Sequence, residues 1–162
     1  MTKYIVEDSS FVVAVMDEND AFHRDAISVL RGLENQNSDF RVMIPPLVVY
    51  ESIVTLRKKG IPHYIVVDKM IKFIHLENVL LNSINEIAAF KHSKSLMNAN
   101  GELRTHDFMI ASIAIDFDAA ILTFDKTMKT KVSNSYNKIY YCSSSGNMEN
   151  DLNCFLKEVS YT

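Results

Sequence analysis

Residues 105–125 read THDFMIASIAIDFDAAILTFD. Thr105 is a residue type that caps helices, and Ile110, Ala111, Ala114 and Ile115 then recur at helical spacing. Ala120–Phe124 follows as a continuous apolar and β-branched run, and Asp125 comes directly after it. An unbroken run, unlike an alternating one, suits a strand covered on both faces. The stretch therefore predicts a helix feeding a buried strand that stops at a carboxylate.

The same pattern repeats outward from this stretch. Tyr4–Val6, Val42–Ile44 and Lys138–Tyr141 read as strands of the same kind, and Leu76–Leu81 as a weaker one. Pro45–Pro46 makes a stiff entry to a helix that runs to Lys59–Gly60, a basic last turn and a glycine stop. Pro62 starts another helix, with Ile65, Met70 and Phe73 among its apolar positions. Ser83-Ile-Asn-Glu86 matches a capping box. After the break at SSSGN, Met148, Leu152, Phe155, Leu156 and Val159 predict a closing amphipathic helix. Strands alternating with helices point to an α/β sandwich with a mainly parallel sheet of about five strands. Sites in such sheets form beyond the carboxyl ends of the strands.

With 162 residues, 48% of them apolar, the chain is long and apolar enough for one domain with a real core. Residues 1–162 are read as that domain, with 142–162 a helical C-terminal extension. No apolar run is long enough to span a bilayer, and the opening MTKYIVEDSS lacks the apolar core of a signal peptide. Cys142 and Cys154 have no CxxC spacing and read as reduced thiols. A cytoplasmic location is expected. The net charge of −3 argues against a basic coat for DNA. It leaves room for a nucleic acid held through metal ions, because such sites gather carboxylates.

Four acids stand out. Asp8 and Asp125 each follow a strand, although Asp125 equally suits the N-cap of the segment Lys126–Lys131. Glu51 has apolar helical neighbours in Leu47, Val48 and Val54, so it needs a bound cation or a partner such as Arg57 or a lysine. Asp107 lies in a first helical turn, where the macrodipole favours any acid, but Ile110 and Ala111 turn that side toward the core. Hard ions such as Mg²⁺ and Mn²⁺ prefer oxygen ligands, and phosphodiester hydrolysis uses them to activate water and stabilise the leaving oxygen. Carboxylates converging from separate segments are what that chemistry needs.

The ordered set YIVEDSSFVVAVM, PPLVVYESIV and RTHDFMIASIAIDFDAAILTFDK resembles the PIN-domain nucleases, most nearly their VapC-type toxins, over residues 3–141. The resemblance implies a three-layer α/β/α sandwich and Mg²⁺- or Mn²⁺-dependent cleavage of RNA. It assigns the metal-binding and catalytic acids to Asp8, Glu51, Asp107 and Asp125, with Ser10 and Thr123 orienting ligands or waters. It also implies a homodimer and a cognate antitoxin as partner. The alternative is a catalytically silent PIN-fold module that binds RNA or protein.

Other classes fit less well. A signalling receiver domain would explain Glu7–Asp8 but needs an aspartate at the end of a middle strand and a late Lys-Pro, which are missing. A haloacid-dehalogenase phosphatase needs a second aspartate where Asp-Ser-Ser has none. Glu7 departs from the family pattern, which is apolar there. Strand alternation turns it away from Asp8, and an ion pair or hydrogen bond remote from the metal is expected for it.

Overall fold

In the computed structural model, residues 3–34, 40–81, 91–92, 96 and 103–143 are described. Five strands form one sheet: β1 (Lys3–Glu7), β2 (Phe40–Ile44), β3 (Val79–Leu81), β4 (Ala120–Thr123) and β5 (Ile139–Tyr141). All neighbours pair in parallel in the order β3-β2-β1-β4-β5. The register sets Ile5 beside Val42 and Val6 beside Ile121. The expected strands are all present with shifted ends. Phe124 lies beyond β4, Lys138 precedes β5, and only the second half of Leu76–Leu81 pairs.

Six helices are described: α1 (Ser9–Met16), α2 (His23–Glu34), α3 (Pro46–Lys58), α4 (His63–Ile74), α5 (Thr105–Asp116) and α6 (Lys126–Val132). Helix α1 packs on α2 and α3, and α3 on α4, while α5 packs on α6 and on β1 and β4. These two groups are the outer layers of an α/β/α sandwich. The sheet between them is buried on both faces: Ile5, Val6, Ile44, Ile121 and Leu122 are all closed to solvent. That burial is why the strands read as unbroken apolar runs.

Helix ends explain how the elements are aimed. Pro46 is the first residue of α3, as its fixed φ favours. The helix closes in a Schellman motif: Gly60 N–H bonds the Arg57 carbonyl and Ile61 N–H the Leu56 carbonyl. Gly60 has φ +88°, a conformation that glycine takes without steric penalty. The expected Thr105 cap is corrected. Arg104 holds the N-cap position without a side-chain bond, and Thr105 is the first helical residue. The capping box at 83–86 and the closing helix at 148–159 lie outside the described residues.

Two segments leave the sheet in opposite directions from β1. The chain moves outward through β2 to β3, then returns to the other side of β1 for β4 and β5. Between β1 and β4 the strand order reverses, so a crevice opens above their carboxyl ends. Asp8 follows β1 and Asp125 follows β4, one on each side of that crevice.

Candidate functional site

The two turns above the crevice are tied together by side chains. Asp8 caps α1, accepting from Ser9 N–H at 2.7 Å and Ser10 N–H at 3.4 Å. Its Oδ2 also accepts from Ser10 Oγ at 2.6 Å and from Thr123 Oγ1 at 2.9 Å. Thr123 in turn accepts from Asp125 N–H at 2.9 Å, and Ser10 from Phe124 N–H at 2.9 Å. Each hydroxyl thus donates to the first aspartate and accepts from the backbone of the turn after β4. Thr123 is closed to solvent, and Asp8 is 5% exposed.

Asp125 performs both duties that its position allows. Its Oδ1 caps α6 by accepting from Thr127 N–H at 2.7 Å and Met128 N–H at 3.0 Å. Its Oδ2 faces the Arg104 guanidinium at 3.9 Å. Asp107, in the first turn of α5, is 7% exposed, so it does point to a covered edge. Burial, then the charges of Asp8 and Asp125, push its carboxyl above the usual range; Arg104 opposes this and Glu51 adds to it.

Glu51 enters from α3. Val48 on its helix is buried, but Val54 is half exposed, so the apolar stripe around it is incomplete. Its partner is the His106 imidazole, through Nδ1 to Oε1, instead of the expected Arg57 or a lysine. Asp8, Ser10, Glu51, Arg104, His106, Asp107 and Asp125 all line one cavity of about 340 Å³. Thr123 lies beneath as the bridge. Among the described residues no three His, Cys, Asp or Glu groups close around one point as a formed ion cage. The carboxylates line the cavity, with Asp8, Glu51 and Asp125 each turned to a donor of its own. An all-oxygen carboxylate set with spare lone pairs is the chemistry that a hard divalent cation takes.

The far wall of the cavity was not visible as a site in the sequence. Lys59, aimed by the Schellman turn, donates to Asp17 at 2.9 Å and to Asp20 at 2.5 Å. This ties the α1–α2 turn to the end of α3. Asp20 also accepts from Phe22 N–H at 2.9 Å, and Asp20, Phe22, Thr55 and Lys59 face the cavity.

Glu7 overturns its expectation. It is wholly buried at the end of β1, and neither carboxyl oxygen has a hydrogen-bond partner among the described residues. Burial pushes its pKa to about 8. The strand ladder occupies the backbone groups beside it.

Comparison with known proteins agrees with this architecture. The PIN-domain family model matches residues 5–132. No curated protein matches the chain by sequence. Among solved structures, VapC20 of Mycobacterium tuberculosis, a sarcin–ricin loop cleaving toxin, is similar at TM-score 0.62 and 17% identity, covering 78% of this chain and 93% of that one. VapBC2 of Rickettsia felis, bound to a DNA fragment from its promoter, is similar at TM-score 0.58 and 14% identity, covering 81% and 94%. VapBC-1 of nontypeable Haemophilus influenzae is similar at TM-score 0.57 and 12% identity, covering 83% and 94%. At these identities the likeness is one of fold.

Proposed function

The chain belongs to the PIN-domain family, and from that premise we propose that it is a metal-dependent endoribonuclease, the toxin of a toxin–antitoxin pair. The observation that carries this reading is the meeting of four carboxylates, from four separate segments, in one cavity at the point where strand order reverses. Asp8, Asp107 and Asp125 would hold Mg²⁺ or Mn²⁺, with Glu51 completing the set. The fit rests on the all-oxygen donors and on the burial and crowding of like charge that together raise the Asp107 carboxyl. Such an ion, when bound, supplies water activation and charge stabilisation at the leaving oxygen.

The chain's own groups do the rest. Ser10 and Thr123 fix Asp8 and the Asp125 turn in one arrangement, which orients the Asp8 carboxylate. His106 holds Glu51 on the cavity wall. Arg104 stands on the rim with 68% of its side chain exposed, where a planar guanidinium can take a phosphate oxygen pair. RNA is the substrate we favour because the similar toxin of Mycobacterium tuberculosis cleaves the sarcin–ricin loop. The VapBC likenesses support an antitoxin partner. A cytoplasmic homodimer is the form expected of such a toxin, and no described helix is long and apolar enough to cross a membrane.

The test is RNA cleavage with Mg²⁺ or Mn²⁺, comparing the native chain with Asp8→Asn. The native chain should cleave and Asp8→Asn should not. Activity surviving unchanged in Asp8→Asn would refute the site. Failure to cleave any RNA would favour a binding module. Growth arrest on expression, relieved by a neighbouring small protein, would identify the toxin role.

A further inference from the structure

The cavity has an aromatic wall that the carboxylate chemistry does not use. Phe11 and Phe124 stack with ring centroids 5.5 Å apart and planes 5° from parallel. Phe22 continues the column onto Phe124 at 4.8 Å and 11°. The Tyr141 ring meets Phe22 and Phe124 edge-on, each at 6.4 Å. Phe11 and Phe124 belong to the core, while Phe22 is half-buried and lines the same cavity as the four acids.

The column is held from both ends. Its base is in the core, and its outer ring sits on a turn fixed by the Phe22 N–H bond to Asp20 and by Lys59 between Asp17 and Asp20. A flat ring with fixed orientation, beside a site suited to phosphodiesters, is a platform for a nucleobase. Every base has a π-face, and stacking on an aromatic side chain is tolerant of sequence. A base within a duplex already has both faces covered, so this platform serves an unpaired nucleotide.

We infer that Phe22 is a substrate-positioning residue that stacks an unpaired nucleobase adjoining the scissile phosphodiester. The inference rests on the nuclease reading above for its substrate class, but it has its own readout. Asp20 and Lys59 fix the turn that carries the ring.

The experiment uses the full chain as native, Phe22→Leu and Phe22→Tyr, with a short single-stranded RNA carrying 2-aminopurine at successive positions. Binding is followed by fluorescence in Ca²⁺ and cleavage in Mg²⁺ or Mn²⁺. The native chain and Phe22→Tyr should quench one position by stacking, and Phe22→Leu should not. Phe22→Leu should raise KM on the order of ten-fold, with kcat changed far less. Leucine keeps the apolar volume, and circular dichroism of each variant reports whether it folds. If Phe22→Leu does not fold, Phe22→Met takes its place with the same expectations. Quenching without cleavage would leave the stacking platform standing and refute the nuclease reading. Quenching and KM unchanged in the leucine or methionine variant, or no RNA binding by the native chain, would overturn the inference.

Discussion

Glu7 offers the sharpest quantitative test of this structure. Its carboxyl is wholly buried, lacks a hydrogen-bond partner among the described residues, and titrates at about 8 against an ordinary 4.5. A raised carboxyl pKa means that the folded chain holds a proton the unfolded chain has already lost. Its contribution is therefore most favourable below the ordinary carboxylate range and falls as pH rises toward 8. Over that window stability should drop by about 1.4 kcal/mol per pH unit, about 5 kcal/mol in all as an upper bound. Beyond the upper end the loss levels off. Set against the roughly 5–15 kcal/mol of a typical domain, this is a large share. Glu7→Gln keeps the shape and removes the titration. Urea unfolding of both chains, in EDTA and across about pH 5 to pH 8, gives the difference directly, because every other group titrates in both. The glutamine chain should gain on the native one as pH rises. A difference that stays constant across the range would refute the buried, unpartnered carboxyl. Glu7→Leu, which also lacks the titration, should run parallel to the glutamine chain.

Other expectations are simpler. Thr123→Val removes the donor to Asp8 and the acceptor for Asp125 N–H in one isosteric change; urea unfolding should show a loss of about 1–3 kcal/mol. Asp107→Asn should raise the melting temperature in chelator at neutral pH, because an acid held above its usual range destabilises once ionised, and should shrink the further rise that Mn²⁺ gives the native chain. Lys59→Met should cost about 1–2 kcal/mol by leaving the Asp17 carboxylate without its cation. Burial pushes the Asp17 carboxyl up, but the Lys59 hydrogen bond, the Asn19 N–H bond and the charges of Lys59 and Lys69 together outweigh it and leave it below the usual range. The native chain should therefore lose this stabilisation as pH falls through the acid range, and the methionine chain should show less acid sensitivity in the same unfolding assay.

Much of the fold could be read in the chain because parallel strands buried on both faces leave unbroken apolar runs. Pro46 and Gly60 mark the ends of α3 for steric reasons that act locally. What the sequence hides depends on contacts between distant segments. Glu51 reads as a carboxylate needing a cation or a basic partner, yet its imidazole partner comes from the start of α5. Lys59 reads as an ordinary basic last turn, and only the Schellman geometry aims it at Asp17 and Asp20. Asp118 gives no signal either, although it takes φ 51° and lets Ala119 N–H close α5 on the Ala114 carbonyl. The four acids share a cavity, as the α/β reading with strand-end sites suggests. Their assignment as metal ligands rests on family resemblance, because spacing alone carries no information about convergence.

Glu7 and Asp8 are neighbours in sequence, and the contrast between them follows from where the strand stops. Glu7 is the last residue of β1, paired in register with Leu122, so the surrounding backbone donors are spent on the ladder. Asp8 is the first residue beyond it. There the chain turns into α1 and presents the free N–H groups of a helix start, together with the hydroxyl of Ser10. The reversal of strand order brings the end of β4 alongside and adds Thr123. Asp8 is thus oriented by donors that exist only because the strand has ended. Shifting β1 by one residue would exchange these environments and bury the first aspartate without a donor. The placement of the cavity is therefore a property of strand length and topology.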